Sequence, residues 1–518
     1  MRRLALAFSK QSRRDFLKKS TAVLTVFENR MPITVQTAPS ISPSPVESRL
    51  SSKVANKKFV AIQVGAVSFV DEGVDHVLDI LQERAHVNTL MLAVFTYGRG
   101  IAGRQLPGQP LPDHGAQQYD TETFHGGSYT DIHPEYYMKT ALKNFRAPDL
   151  GNFDLLTTVV PKARARGMQS YCWLEDVYNP QFLPGFETMA EIDIYGRRTD
   201  QACLSHPEIR DFLKSLVEDY IKSHKIDGIM WGSERQGPFN HAIGAHHGEF
   251  DGPAPLTCFC QYCRKRGQDR GVSVERAQQG LMELDRFVQV ARSGQRPSDG
   301  YFVSFWRLLL NYPEILAWEK LWTDSQQEVY GEIYGTVKSI NPQVQVGWHI
   351  WHNNSFNPFY RAEQDYSKLR QNSDYLKVVM YNNCGGPRMG EFLRNIHTSI
   401  FRDAKPEETL PLYYKIMGYE GEASFEKLAT AGLSPEYVAR ETKRAVAGVH
   451  SEIPIYPGID IDIPTEKGEK KTQPSDVRAA VKAALTAGAS GVVLSRKYSE
   501  MRLANLSAAG EALKELGI

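Results

Sequence analysis

The chain has 518 residues, of which 42 % are hydrophobic and 23 % are charged, and its formal net charge is +1. Such a chain is typical of a globular protein with a sizeable core, and the absence of a polybasic block argues against a nucleic acid or an anionic membrane as the main partner. No apolar run approaches the roughly 18 residues that a membrane span requires. We therefore expect small molecules as partners.

The N-terminus carries a pattern typical of protein export. The segment SRRDFLKKS, residues 12–20, resembles the twin-arginine signal, in which two arginines, a phenylalanine, a leucine and a lysine precede a mildly apolar stretch. A basic amphipathic helix is the alternative. We predict a signal segment over residues 1–30, a Pro/Ser-rich linker over 31–56, and a bacterial periplasmic or extracellular protein that uses the twin-arginine export machinery.

From residue 57 onward, short apolar runs alternate with helical patterns, which predicts repeated βα units on a parallel sheet. The predicted strands are 59–69, 88–97, 168–176, 227–234, 344–352, 375–383, 453–462 and 491–498. The predicted helices are 73–86, 153–166, 207–223, one within 303–339, 389–402, 434–449 and 475–487. Eight strands with their helices predict a (β/α)₈ TIM barrel over residues 57–518, with long insertions after the second and fourth strands.

Two features leave alternatives to this fold. The run 410–419 has the composition of a ninth strand, and we assign it to a long connection after the sixth strand instead. A doubly wound open sheet is the other possibility, but no G-x-G-x-x-G follows the first strand, so a dinucleotide site has no support.

The predicted strands end in polar residues, and the C-terminal ends of barrel strands are where active sites lie. Carboxylates beside indole rings suit a sugar, because aromatic faces stack on the ring while acids and amides bind its hydroxyls. Core tryptophans and solvated or paired acids are the alternative. The candidate substrate-binding residues are Glu175, Asp176, Trp231, His349, His352, Tyr381, Asn382, Asp462 and Arg496. Arg496 and Lys497 could bind the carboxylate of an acidic sugar or pair with Glu500.

Glycosidic cleavage needs two carboxyl groups, one that protonates the leaving oxygen and one that acts as nucleophile or activates water. Glu234, at the end of the fourth strand, is the candidate proton donor, and apolar neighbours could keep it protonated. We favour Asp460 as the opposing carboxylate, with Asp462 next and Glu175 or Asp176 behind.

A cysteine cluster follows Glu234. The segment TCFCQYCRKRG holds a C-x-C-x-x-C motif beginning 24 residues after Glu234, and Cys203 lies upstream. This arrangement resembles the zinc-cluster β-galactosidases of glycoside hydrolase family 42, which are clan A (β/α)₈ barrels. The resemblance implies Glu234 as acid/base and a structural Zn²⁺ held by four cysteines: Cys203, Cys258, Cys260 and Cys263.

The sequence departs from that family at two positions. Ser233 stands where an asparagine normally precedes the acid/base, and the seventh strand offers aspartates where the family has a glutamate. A different glycosidase is equally consistent, with carboxylates about 5–5.5 Å apart for retention or roughly 6.5–9.5 Å apart for inversion. A non-catalytic carbohydrate-binding barrel is the second hypothesis, and a metal-dependent hydrolase ranks last.

Other polar residues have less specific interpretations. Disulfides or free buried thiols are the alternatives to zinc at the cysteine cluster. Three histidines after the fourth strand, His241, His246 and His247, are expected to line the pocket or face solvent rather than bind metal. The insert after the second strand forms either a packed lid or a pocket wall, with four candidate contact residues: Tyr119, His125, Tyr129 and His133.

Overall fold

A computed structural model of the protein describes residues 58–97, 99–122, 125–175, 185–248 and 255–518. The predicted signal segment and linker lie outside these residues, as does Asp176. Within the described part of the chain, no helix is both long and apolar enough to span a bilayer.

The structure contains a closed barrel of eight parallel strands. In chain order the strands are β1 (Phe59–Val64), β2 (Thr89–Tyr97), β3 (Gly126–Ser128), β4 (Gln169–Glu175), β5 (Ala190–Ile192), β6 (Arg198–Ala202), β7 (Gly228–Gly232), β8 (Gln345–Ile350), β9 (Tyr375–Val379), β10 (Ile455–Asp460) and β11 (Gly491–Ser495). The barrel order is β1-β2-β4-β7-β8-β9-β10-β11, and β11 pairs with β1 to close the ring. Strand β3 adds an antiparallel edge to β2, and β5 pairs with β6 in a separate hairpin. The predicted TIM barrel is confirmed.

Helices lie between the barrel strands, as the alternating pattern predicts. The helices preceding β8 are Ala66–Glu72, Val74–Ala85, Arg99–Ala102, Leu155–Ala165, Pro207–Ser223, Pro238–Ala242, Gln261–Asp269, Val274–Arg292, Tyr301–Asn311 and Glu314–Ile340. Those following it are Pro358–Glu363, Tyr366–Leu369, Asn382–Ile396, Pro406–Met417, Phe425–Ala431, Pro435–Gly448, Pro474–Thr486 and Leu503–Glu515.

Some predicted elements differ from the structure in their bounds. The first strand ends at Val64, and the rest of the run 59–69 begins the helix Ala66–Glu72. The region 303–339 forms two helices divided before Glu314, because Pro313 disfavours helical geometry in the residue that precedes it. The run 410–419 lies, as predicted, in the connection after the sixth barrel strand, β9, and most of it belongs to the helix Pro406–Met417.

Alternating strand residues separate the barrel interior from the surrounding shell. A small interior cluster is made of strand side chains only: Ala61, Met91, Ala93, Tyr171, Trp173, Met230, Tyr375 and Val493. The larger core lies between the strands and the helices and includes Trp231 and Trp348. By the same alternation, Glu175, His349 and Lys377 face inward near the C-terminal mouth of the barrel.

Candidate active site

Glu234 lies two residues beyond the end of β7, at the barrel mouth. Its side chain is 40 % exposed, whereas all residues from Gly228 to Ser233 and from Arg235 to Asn240 are buried. The Oε1 atom of Glu234 lies 3.0 Å from Nε2 of His349, at the end of the neighbouring strand β8. The carboxylate of Glu234 is therefore accessible to solvent, while the residues on both sides of it in the chain are buried.

A hydrogen-bonded chain leads from Glu234 into the barrel. Lys377 on β9 is fully buried, and its Nζ donates to Nδ1 of His349 at 3.1 Å and to the hydroxyl of Tyr381 at 2.9 Å. An ammonium group only donates, so when Lys377 is protonated His349 accepts at Nδ1 and donates its Nε2 proton to Glu234. Lys377 thereby fixes the histidine tautomer that supports an ionised Glu234.

Burial controls the charge state of this chain as well. Burial lowers the pKa of Lys377 to about 7. The carboxylates of Glu234 and Glu175 oppose this effect, because their negative charges favour the protonated amine. Burial, together with the charge of Lys377, lowers the pKa of His349 to about 4. His349 is therefore neutral at neutral pH and serves Glu234 as a hydrogen-bond donor.

Glu175 is the second carboxyl group that faces the mouth. It ends β4, the strand next to β7, and is 7 % exposed. Its side chain lies over Gly232, where a Cβ would be 3.4 Å from its Cγ and 3.6 Å from its Oε1. These are van der Waals distances, so the side chain of Glu175 packs against the backbone of the strand that precedes Glu234.

The two glutamates have pKa values on opposite sides of neutrality. Burial raises the pKa of Glu175 to about 8, and the nearby charge of Glu234 adds to the rise. For Glu234, partial burial also raises the pKa, but the hydrogen bond from His349 and the charge of Arg388 outweigh it and lower the pKa to about 2. These contacts favour an ionised Glu234 at pH 7, whereas the sequence suggested that apolar neighbours could keep it protonated.

Asp460, the favoured opposing carboxylate, has different contacts. It is fully buried, its Oδ2 accepts the backbone N–H of Cys384, and its Oδ1 accepts from Ile463 and Thr472. Asp462 pairs with Arg502 at 2.8 Å. Because protein donors occupy both oxygens of Asp460, this placement supports a structural role for Asp460.

The other predicted substrate residues divide between the mouth and the shell. His349 and Tyr381 belong to the chain that supports Glu234. Trp231 is 1 % exposed and packs in the helix-facing core, because its neighbours Met230 and Gly232 take the inward positions, so it does not offer a face to a sugar. Asn382 is buried at the start of the helix Asn382–Ile396.

Arg496 and the insert after β2 have internal partners. The guanidinium of Arg496 bonds both oxygens of Glu500, at 3.2 and 2.9 Å. In the insert, His125 contacts Asp120 and Asp149, and His133 contacts Asp219, while Tyr129 donates to Asp149. These contacts match the packed-lid alternative. Tyr119 is 40 % exposed.

The four cysteines converge on one point. The Sγ atom of Cys203 lies 3.5 Å from that of Cys260, 3.6 Å from that of Cys263 and 3.7 Å from that of Cys258, and none of the four forms a disulfide. All four sulfur atoms lie within 4.8 Å of one another. Four thiolates at about 2.3 Å from a tetrahedral ion would be about 3.8 Å apart. The cluster therefore has the dimensions of a closed metal site.

Buried contacts connect this cluster to Glu234. Arg235, the next residue, forms an ion pair of 2.6 Å with Glu191, and both side chains are 2 % exposed. Glu191 also accepts from the hydroxyl of Thr257, which precedes Cys258. The cysteine cluster and the candidate catalytic residue thus share one buried support.

Sequence reasoning missed Lys377 and Arg388. Lys377 is the single charged residue in the buried strand YLKVV, and a charge in such a strand is costly unless a site uses it. That pattern could have identified it. Arg388 lies on a helix whose start was predicted at residue 389, seven residues after its observed start at Asn382.

No family model matches the chain, and no curated protein matches it. Among solved structures, it is similar to α-L-fucosidase isoenzyme 2 from Paenibacillus thiaminolyticus, with 11 % identity, 89 % of this chain and 49 % of that chain covered, and a TM-score of 0.46. It is also similar to a β-galactosidase from the haloarchaeon Halorubrum lacusprofundi (12 % identity, 89 % and 58 % covered, TM-score 0.49). A third is the PgaB (BpsB) glycoside hydrolase domain from Bordetella bronchiseptica (11 % identity, 89 % and 98 % covered, TM-score 0.42).

These neighbours are glycoside hydrolases, and at such identities and TM-scores the likeness concerns the fold only. The chain spans about half the length of the fucosidase.

Proposed function

We propose that the protein hydrolyses glycosidic bonds with Glu175 and Glu234 as its carboxyl pair. The observation that carries the proposal is that two carboxyl groups end adjacent barrel strands and have pKa values of about 8 and about 2. A glycosidase needs one protonated and one ionised carboxyl group beside the same bond, and environments that push two pKa values apart provide them.

The contacts assign a role to each group. Glu175, protonated at pH 7, donates its proton to the leaving oxygen, and Glu234, ionised and solvent-accessible, attacks the anomeric carbon or activates a water. His349 donates to Glu234 and holds it in place. This reverses the role expected for Glu234 from the sequence and replaces Asp460 by Glu175. The stereochemistry of the product decides between the two mechanisms, because retention requires carboxyl groups about 5–5.5 Å apart and inversion requires roughly 6.5–9.5 Å.

The test uses Glu175→Gln and Glu234→Gln on natural glycans and on aryl glycosides with good and poor leaving groups. We expect Glu234→Gln to lower turnover by about 1,000-fold on every substrate. Glu175→Gln should have a comparable effect only with poor leaving groups, because good ones depart without a proton. Glu436→Gln, at an exposed glutamate, is the matched control. Near-wild-type turnover of a natural glycan by either site variant would refute the pair.

We further propose that the four cysteines hold a structural Zn²⁺. The sulfur spacing fits a tetrahedral thiolate site, and the backbone N–H of Ile192 donates to Cys258 Sγ at 3.5 Å, as an amide donor to a metal-bound thiolate would. Four protein ligands leave no open position, so such an ion would stabilise the loop and take no part in the reaction.

Export remains a proposal from residues 12–20 alone. Replacing Arg13 and Arg14 together by lysine should retain the protein in the cytoplasm, because the twin-arginine pair is the feature that the export machinery recognises. Fractionation of the producing bacterium checks this. Unchanged export of the double variant would remove the signal assignment while leaving the proposed chemistry untouched.

A further inference from the structure

A second cationic side chain borders Glu234, and apart from lowering the pKa of that carboxylate it has no assigned role in the hydrolysis proposed above. Arg388 lies on the helix Asn382–Ile396, which begins three residues after β9 at the barrel mouth. It is half-buried, and its guanidinium carbon lies 5.9 Å from the ring centre of Tyr381. The hydroxyl of the same Tyr381 accepts a hydrogen bond from Lys377 at 2.9 Å, which places Arg388 beside the candidate catalytic groups, and its charge lowers the pKa values of Glu234 and Lys377.

Arg388 has a neutral partner where an ion pair would be expected. Its Nη1 donates to Nδ1 of His352 at 3.1 Å, and Nε2 of His352 lies 3.2 Å from the hydroxyl of Tyr437. That hydroxyl donates to Ser355, so it accepts the Nε2 proton of His352. With one nitrogen accepting and the other donating, His352 is neutral. It orients the guanidinium without balancing its charge.

No carboxylate among the described residues lies within 4.0 Å of Arg388. Arg496 gives the contrast at the same mouth, because Glu500 neutralises it through two hydrogen bonds. A guanidinium has five N–H donors and carries its charge at every physiological pH, so leaving it half-buried and unpaired costs free energy. The N–H groups of Arg388 that do not donate to His352 are therefore available to a ligand.

We propose that Arg388 binds an anionic substituent, a carboxylate or a sulfate, on the sugar that occupies the site. The substrate would then be an acidic glycoside. This inference rests on the proposed function for its placement at the cleavage site. Planar guanidinium groups bind both anions through paired hydrogen bonds, and a desolvated recess strengthens such contacts. From the sequence, Arg496 and Lys497 could either bind an acidic sugar or pair with Glu500. In the structure Arg496 pairs with Glu500, and Arg388 is the available arginine.

Calorimetric binding of free sugars at pH 7 tests the inference without requiring turnover. The acidic arm contains glucuronate, galacturonate and the 6-sulfates of glucose and galactose, and the neutral arm contains glucose and galactose. We expect at least one acidic sugar to bind about 100-fold more tightly than its neutral counterpart, as the loss of a charge-assisted contact implies. The carboxylate and sulfate members identify which anion is preferred.

Three variants complete the experiment. Arg388→Met should abolish the preference for the acidic sugar. Arg388→Lys should retain part of the preference, because lysine keeps the positive charge but lacks the paired, planar N–H donors of the guanidinium. Arg394→Met, at an exposed arginine on the same helix, should retain it fully. Equal binding of acidic and neutral sugars, no binding of any acidic sugar, or a preference that survives in Arg388→Met would each overturn the inference.

Hydrolysis assays separate this result from the fate of the proposed function. If Glu234-dependent hydrolysis of neutral glycosides is found without any preference for acidic sugars, the glycosidase proposal stands and the role of Arg388 falls. If the acidic sugars bind through Arg388 and no glycoside is cleaved, the role of Arg388 stands and the glycosidase proposal falls.

Discussion

Lys377 affects the protonation of two other groups at the barrel mouth, because its charge lowers the pKa values of His349 and Glu175. It is fully buried, and its ammonium has room because Gly458 faces it: a Cβ there would lie 2.7 Å from the Cε of Lys377. A buried lysine is costly unless its donors are satisfied. Here His349 and Tyr381 satisfy two of the three donors, which ties a buried charge to the orientation of the histidine that supports Glu234.

The pH dependence follows from the two glutamates. kcat/KM requires ionised Glu234 and protonated Glu175, so activity should fall below a pH near 2 and above a pH near 8. Lys377→Met removes a cation that lowers the pKa of Glu175. That pKa should therefore rise, and the alkaline limb should move slightly to higher pH, because Lys377, with a pKa of about 7, is mostly neutral near pH 8.

The same variant should lower kcat/KM at pH 7 by about 10-fold to 100-fold, because His349 is no longer fixed in the tautomer that donates to Glu234. The pH profile of kcat/KM for an acidic and a neutral aryl glycoside is the measurement. Lys368→Met, at a side chain 60 % exposed, is the control and should leave both limbs in place. An alkaline limb that moves to lower pH, or an unchanged kcat/KM at pH 7, in Lys377→Met would contradict the assigned hydrogen-bonded chain.

At the scale of elements, the hairpin β5-β6 and the segment around Cys258 form one support beside β7. Phe259 N–H donates to the carbonyl of Ile192 at 2.7 Å, and Asp193 pairs with Thr257 in an isolated bridge. The buried Arg235–Glu191 pair joins this support to the residue that follows Glu234. Breaking such a pair from one side costs roughly 3–5 kcal/mol, so the support must keep both partners in place.

The zinc proposal is tested on this support. Elemental analysis of the purified protein should find one Zn²⁺ per chain, and Cys258→Ser should lose it and lower the unfolding temperature, because metal binding contributes directly to folding. Cys172→Ser, at a buried cysteine of β4 outside the cluster, should retain the metal. A wild-type protein without stoichiometric metal, with its thiols paired as disulfides, would end the proposal.

At the scale of the whole molecule, the barrel depends on contact between the first and last βα units. Strand β11 pairs with β1, and the helix Leu503–Glu515 lies against Val74–Ala85 so closely that a Cβ at Gly510 would be 2.0 Å from the carbonyl oxygen of Arg84. Only a glycine permits this approach. Contact between the first and last βα units therefore depends partly on having glycine at position 510.

Gly510→Ala should lower the free energy of unfolding by about 1–3 kcal/mol, because the added methyl forces the two helices apart. Gly335→Ala is the matched control: this glycine is also helical, but a Cβ there would meet nothing within 4 Å. Its replacement should raise stability by about 0.5–1 kcal/mol through helix propensity. Urea unfolding of both variants measures these changes in the free energy of unfolding. Equal changes in the two variants would show that the close approach at Gly510 does not limit the stability of the barrel.

The sequence by itself determined the eight βα units, because hydrophobic periodicity and helix-stop residues are local signals. The helix Pro207–Ser223 was predicted with its observed bounds, and the barrel strands other than the first end within four residues of their predicted ends. Glu234, His349 and the cysteine motif were also identifiable, since the order of strands in a barrel brings their C-terminal ends to one face.

Only the tertiary structure decided the charges and the partners. That Arg496 pairs with Glu500 while Arg388 has no carboxylate partner among the described residues depends on the distances between elements. Likewise, Asp460 could be distinguished from Glu175 only by the donors that surround it. Periodicity is local in the chain, whereas burial and ion pairing depend on which residues the closed ring brings together, and these set the protonation state of each carboxyl group.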